Sequence, residues 1–371
     1  MIIKTIKLNN FRNYGSLSLN LSPGINIFLG ENAQGKTNIL EAIYYSALSH
    51  SHRTNDDEDL IRQKSDQANM QIIYERLGIE NEISINLFRQ KRRQIFSGDQ
   101  HLKVREMIGL INVVLFSPED LFLIKGAPQG RRRFLDAEIS QANPRYFNDL
   151  SIYIRLLNQR NSLLKKIRET GQGRDMLTVW DEQLADLAAK VVKKRLSSVK
   201  DLNNIAAAMQ KKLSNDRENL LVAYEIKDKE INEFVEENLV LWYNKRLRDS
   251  IETDIYRGST SIGPQRDDLI FSVNGNDLKS FGSQGQQRTG ILALKLSELE
   301  FLHQETGEYP VLLLDDVMSE LDSNRRIQLL EFISREKIQT LITATEPAYF
   351  SAEFLNDAYI VKEGHIDAKN R

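Results

Sequence analysis

The stretch Ile25-Asn-Ile-Phe-Leu-Gly30-Glu-Asn32-Ala-Gln-Gly35-Lys36-Thr37-Asn38 decides how the rest of the chain is read. A short apolar run ends at Leu29, and residues 30–37 then fit the P-loop pattern G-x-x-x-x-G-K-T. The following Asn38-Ile-Leu-Glu-Ala-Ile is a good helix start, so the motif has the strand–loop–helix context that gives it meaning. Glycines let backbone N–H groups turn inward around phosphate oxygens, and the helix N-terminus adds the positive end of its dipole. The expected ligand is a nucleoside triphosphate with Mg2+. Gly30, Asn32, Gly35 and Asn38 are candidates to line it, Lys36 to reach the β and γ phosphates, and Thr37 to ligate the metal.

Later in the chain Val311-Leu-Leu-Leu ends in Asp315 and Asp316, the form of a Walker B strand. Asp315 is expected to hold Mg2+, directly or through its water. Asp316 is placed to orient or deprotonate the attacking water. Upstream, Ser283-Gln-Gly285-Gln286-Gln287 opens a helix expected from about 284 to 305, beginning 28 residues before Val311. Small and polar residues at a helix N-terminus offer hydroxyl and N–H donors to an anion. Ser319-Glu-Leu-Asp322 follows, and Thr343-Ala-Thr345 ends the next strand. In this order the elements resemble those of ABC-type ATPases, whose signature meets the γ-phosphate bound by the opposite subunit. That likeness puts Ser283, Gly285 and Gln286 at the nucleotide of a second copy.

Composition narrows the partners. Fifty basic against 52 acidic residues give a formal net charge of −2 and a pI near 6.3. A wholesale polycation is excluded, so any nucleic-acid contact must come from a local patch. Lys91-Arg92-Arg93 and Arg131-Arg132-Arg133 are the candidates. Each also reads as a solvated charge run, and the second as a set of pairs with carboxylates inside the fold. The chain has no cysteine, which excludes disulfides, thiolate zinc sites and cysteine nucleophiles. Its five histidines show no metal-ligand spacing. No apolar stretch approaches a membrane span and the N-terminus lacks a signal-like core, so the expectation is a cytoplasmic protein without a membrane partner.

Proline and glycine mark the organisation. Residues 145–263 hold no proline and only Gly171, Gly173, Gly258 and Gly263, so this stretch is free to form long helices. Phe147, Leu150, Ile154, Leu157, Leu164 and Ile167 make one helical stripe, with a polar step at Asn161. Trp180, Leu184, Leu187 and Val191 make a second beyond the Gly171-Gln-Gly173 break, and Ile231, Phe234, Val235, Leu239 and Trp242 a third. Trp180 and Trp242 read as core of this lobe. The flanks instead show short alternating or continuous apolar runs. The expected fold is an α/β P-loop ATPase head of the ABC/SMC type, built from residues 1–143 and 256–371, with a mostly helical lobe, 144–255, inserted.

Motifs along most of the chain resemble the RecF family of bacterial recombinational-repair ATPases. They are Leu8-Asn-Asn-Phe-Arg-Asn-Tyr14, residues 30–38, Ser51-His-Arg53, Phe116-Ser-Pro-Glu-Asp-Leu121, Lys125-Gly126 with Arg131-Arg-Arg-Phe-Leu-Asp136, Gly263-Pro-Gln-Arg-Asp-Asp-Leu269, and residues 281–289 and 312–322. The resemblance implies an ATP- and Mg2+-dependent homodimer, closed head to head around two ATP molecules, that clamps gapped, junction or duplex DNA. It implies action with RecR and RecO at single-strand/double-strand boundaries, loading of RecA, and roles in the SOS response and at stalled replication forks. It also brings Arg12 and Asn13 to the nucleotide, although a simple turn is an equal reading of that loop. Gln265 stands where the family commonly has histidine. Asp316 is a methylene shorter than the glutamate of transporters, so turnover is expected to be slow, suited to a switch. The alternative is another SMC-like or ABC-type ATPase subunit without a gap-repair role.

Overall fold

Strands built from unbroken apolar runs must be covered on both faces, and four of them form the heart of one sheet in the computed structural model, which describes residues 1–227, 236–355 and 357–368. Ile25–Leu29, Thr340–Ala344, Val311–Asp315 and Val113–Phe116 lie side by side and parallel, in that order. Tyr359–Lys362 pairs with the free side of Ile25–Leu29, and His365–Ala368 turns back against it. All residues of the strands at 113–116, 311–315 and 340–344 are buried. Because these four strands run parallel, Leu29, Ala344, Asp315 and Phe116 end at one edge of the sheet. Open α/β sheets bind ligands at that carboxyl edge.

The alternating segments make a second, antiparallel sheet in the order Tyr14–Asn20, Ile2–Phe11, Gln67–Arg76, Ile79–Phe88, Gln94–Ser97, Gln100–Leu102. Its period-two pattern buries Ile6, Met70, Ile72, Ile83 and Ile85 on one face. Arg12 and Asn13 form the two-residue turn of its first hairpin, between the paired Phe11 and Tyr14. Arg12 holds a φ of 52°, in the left-handed region.

The chain divides into two compact units. The first comprises Met1–Leu121, Lys212–Asn215 and Arg288–Arg371, and holds both sheets. The second comprises Phe122–Lys211 and Asp216–Gln287; it contains nearly all of 144–255 and also the helix Pro128–Ala142 and the strand Asp268–Val273.

In the second unit the helices Pro144–Thr170 and Leu177–Leu213 flank a break where Gly171 and Gly173 adopt φ of 72° and 96°. Positive φ at both positions ends the first helix and redirects the chain. Leu164, Ile167, Leu177 and Ile255 then cluster, with Leu163 and Ile251 packed against them. The face that Pro144–Thr170 buries is Tyr146, Leu150, Tyr153, Arg160, Leu164 and Ile167. Ile154, expected on this stripe, is 47% exposed. The face is offset because it takes in a charge, Arg160, neutralised by Asp181 at 2.5 Å and Asp254 at 2.7 Å. Asn161, the polar step, accepts from the Thr260 N–H and hydroxyl at 2.8 and 2.7 Å. Both tryptophans are half-buried rather than core, and the Arg246 guanidinium lies over the Trp242 ring. Leu239 is buried in the helix Glu236–Asp249, while Ile231, Phe234 and Val235 of the third stripe lie outside the described residues. A three-stranded sheet completes the unit, with an Asn274-Gly275 turn closing its hairpin.

Candidate functional site

At the carboxyl edge of the parallel sheet, Gly35 caps the helix Lys36–Leu48 with φ 114°. A Cβ there would sit 2.6 Å from the Asn13 amide nitrogen, and one at Gly30 would sit 2.3 Å from the Val361 carbonyl oxygen. Gly30 is therefore demanded by close backbone approach, and Gly35 by its positive φ with the Asn13 side chain packed against it. The loop is strapped from outside. The Asn13 amide donates to the Gln34 carbonyl at 3.0 Å, Tyr14 donates to the Gly35 carbonyl at 3.1 Å, and Asn38 donates to the Asn13 side-chain oxygen at 2.8 Å. The Gly364 and Glu363 N–H groups bind Gln34 from the last hairpin. Lys36 donates to the carbonyls of Gly30 and Glu31 at 2.8 and 2.9 Å. Burial pulls its ammonium below the usual lysine range, while Asp316 and Asp315 push it back up.

Across the sheet edge, Asp315 receives two hydroxyls on one oxygen, Thr37 and Thr343, each at 2.8 Å. Burial raises its carboxyl, and these two hydroxyls oppose the shift. The Thr343 hydroxyl also accepts from the Asp316 N–H at 2.9 Å, and Asp316 sits at φ 51°, in the left-handed region. Thr37 and Asp315 offer hydroxyl and carboxylate oxygens alone. That hard donor set fits Mg2+, which takes one or two protein ligands and completes its shell with waters and phosphates.

Arg12 is held by Glu41 at 2.8 and 2.6 Å and by the Asp59 carbonyl at 2.8 Å, so its guanidinium is committed to the fold. Glu41 is fully buried. Burial pushes its carboxyl up, but Arg12 and the Ser51 hydroxyl outweigh that and hold it below the ordinary range. Arg53 bridges from Glu41 to the Asn38 side-chain oxygen. Glu41, Ser51 and Arg53 thus shape the helix that carries Thr37. The sequence signal for Glu41 is a lone charge inside the apolar run Ile39-Leu40-Glu41-Ala42-Ile43.

In the second unit Ser283 and Gln286 form a reciprocal cap at the start of the helix Gln284–Thr306. The Ser283 N–H donates to Gln286 at 3.0 Å, and the Gln286 N–H donates to the Ser283 hydroxyl at 3.2 Å. Ser283, Gln284 and Gly285 are exposed, whereas Gln287 is buried and donates to the Leu278 carbonyl.

The two basic triplets differ sharply. Arg131 is buried and bidentate to Asp268 at 2.8 and 2.7 Å, and Arg132 donates to the Asp267 carbonyl. Arg133 is exposed. Arg93 is tied to Tyr45 and Asp57 at 2.6 and 3.0 Å. Lys91 and Arg92 are exposed, make no ion pair among the described residues, and line an open groove with His50, Thr54 and Phe88. Gln265, at the position of the family histidine, binds the Tyr153 hydroxyl and the Ile262 carbonyl.

Residues 2–366 match the family model described as RecF/RecN/SMC N terminal domain. The DNA replication and repair protein RecF of Exiguobacterium sp. is 40% identical over 373 residues, covering 100% of both chains. RecF of Clostridium botulinum is 43% identical over 370 residues, covering 99% of each. The solved structure of the recombination mediator protein RecF with ATP, in the RecFOR pathway, superposes with a TM-score of 0.92 at 37% identity, covering 99% of this chain and 97% of that one. An SMC head bound to the winged-helix domain of ScpA shares the fold at a TM-score of 0.56 and 14% identity, over 99% of this chain and 96% of that one.

Proposed function

We propose, since this chain belongs to the RecF family, that it is a DNA replication and repair ATPase whose grip on DNA is switched by ATP-dependent pairing of two copies. The observation that carries the reading is the 2.8 Å bond from Thr37 to Asp315, which brings together at the P-loop the two residues that would hold a magnesium ion. Mg2+ held by these two residues would neutralise phosphate charge. Lys36 binds the β and γ phosphates, the Gly30–Gly35 backbone cradles them, and Asp316 orients the attacking water and takes its proton. The short arm of Asp316 suits slow turnover.

The exposed Ser283–Gly285 segment supports a composite site, because it stands at the solvent-facing start of the helix Gln284–Thr306, where the positive end of the dipole suits an anion. The second copy's γ-phosphate is the anion it fits. Partners in this reading are gapped and junction DNA, duplex DNA, RecR and RecO, with RecA loading and SOS induction as the outcome; the RecFOR pathway named for the solved relative supports it. Sedimentation with an ATP analogue, with and without gapped DNA, tests it. A monomer is expected to become a dimer with nucleotide, and DNA binding is expected to follow the dimer. Ser283→Arg is expected to keep ATP binding and lose dimerisation; a variant that pairs normally would remove the composite site.

Lys91 and Arg92 are the DNA-phosphate contacts of this reading, and Arg131 is left out because its charge is spent on Asp268. The Lys91→Ala/Arg92→Ala double variant is expected to weaken duplex binding whatever the sequence. The slope of log affinity against log salt should flatten by about 2, one counterion per lost contact. An unchanged slope would move the DNA elsewhere.

A further inference from the structure

His52 has no part in the bonding described above. Both ring nitrogens are shielded from solvent, and neither has a hydrogen-bond partner among the described residues. The ring packs edge-on against Tyr44, with centroids 5.2 Å apart. Its neighbours are committed, Ser51 to Glu41 at 2.6 Å and Arg53 to Asn38 at 2.9 Å, so the segment is clamped around it. Asn38 directly follows Thr37, whose hydroxyl binds Asp315 at 2.8 Å, so the bond from Arg53 to Asn38 fastens the His52 segment beside the Thr37–Asp315 pair. Burial, with Arg53, lowers its basicity against the pull of Glu41, Asp315 and Glu119, and a neutral ring has one donor and one acceptor.

Two desolvated nitrogens without partners are costly, and such groups persist where a ligand completes them. The ligand here must be small, uncharged and able both to donate and to accept. A water at the Asp315 end of the nucleotide meets all three conditions. We propose that His52 hydrogen-bonds the attacking water and is a further catalytic residue of ATP hydrolysis, an inference that rests on the nucleotide reading above. The water oxygen bonds to the γ-phosphorus as the bond to the bridging oxygen breaks, and ADP leaves with the electron pair. The water's proton passes to Asp316. His52 orients the water and takes no net proton.

His52→Phe keeps the packing on Tyr44 and removes both nitrogens, whereas His52→Gln returns a group that donates and accepts. His52→Phe is expected to melt and bind ATP like the parent, yet lose about a hundredfold in single-turnover hydrolysis. His52→Gln is expected to recover about tenfold of that loss. A second readout uses the unmodified full chain with nitrogen-labelled histidine. The His52 ring resonances are expected to shift with Mg2+ plus a non-hydrolysable ATP analogue, and to stay in place with Mg2+ alone. Parent-like hydrolysis by His52→Phe, or ring signals indifferent to the analogue, overturns the proposal and leaves a packing residue with a resident water only. If the unmodified chain itself neither binds nor hydrolyses ATP, the nucleotide reading fails first. If His52→Phe does not fold, the ring resonances decide alone.

Discussion

Lys36→Met is expected to abolish retention of ATP by the full chain while leaving it folded. The Lys36 side chain is 4% exposed and its ammonium donates to two loop carbonyls, at Gly30 and Glu31. Methionine fills nearly the same unbranched volume, so packing survives. What is lost is the only charge in the loop that opposes Asp315 and Asp316, both of which act on Lys36 in the present arrangement. Charge-assisted hydrogen bonds are worth about 1.5–3 kcal/mol each. Losing two at the phosphates gives about 3–6 kcal/mol, or more than a hundredfold in Kd. Titration of a fluorescent ATP analogue measures this, with circular dichroism as the check on folding. Lys36→Arg is expected to bind poorly too, because a planar guanidinium does not fit a slot closed by two carbonyls. Parent-like affinity in Lys36→Met would mean that the nucleotide sits elsewhere.

Much of this site was legible because its signals are local. A P-loop writes its strand, turn and helix start in one stretch, and a buried parallel strand leaves an unbroken apolar run such as Val311–Asp315 with an acid at its end. The order of the strands is not written locally. Ile25–Leu29 lies beside Thr340–Ala344 and not beside Val311–Asp315, and only the packing of the whole sheet decides that. Thr343 shows the consequence. In the sequence it is one of two threonines closing an apolar strand; in the fold its hydroxyl links Asp315 to the Asp316 backbone.

Charge was the least legible property. Residues 131–133 read as one basic triplet, yet Arg131 is buried on Asp268, 137 positions away, and Arg133 is exposed. A run of like charges carries no mark of which member meets a distant carboxylate. Arg12, which the family resemblance brings to the nucleotide, is in this fold also bonded to Glu41 and the Asp59 carbonyl, partners that no local pattern announces. The same blindness misplaced the buried face of the helix Pro144–Thr170, because apolar periodicity gives Arg160 no place in a core.

Arg160→Leu is therefore the sharpest test of the second unit, with an expected loss of about 3–5 kcal/mol. Arg160 and Asp254 are both 0% exposed, and Asp181 is 8% exposed. Removing the cation leaves two carboxylates out of water without the counter-charge bonded to them, which costs more than the pair ever contributed. The triple change Arg160→Leu/Asp181→Leu/Asp254→Leu is expected to recover most of the loss, since an apolar cluster of similar volume needs no neutralisation. The sign of the pH dependence follows. Burial already raises the Asp181 carboxyl above its ordinary 3.8, against the pull of Arg160, and loss of Arg160 raises it further. The folded state then holds a proton that the unfolded chain releases, so stability of Arg160→Leu falls as pH climbs from about 4 towards neutrality. Urea titrations followed by tryptophan emission suit the measurement, because both tryptophans, Trp180 and Trp242, lie in this unit. An Arg160→Leu chain as stable as its parent across that range would mean that the carboxylates reach water and that the unit is held together by its apolar contacts alone.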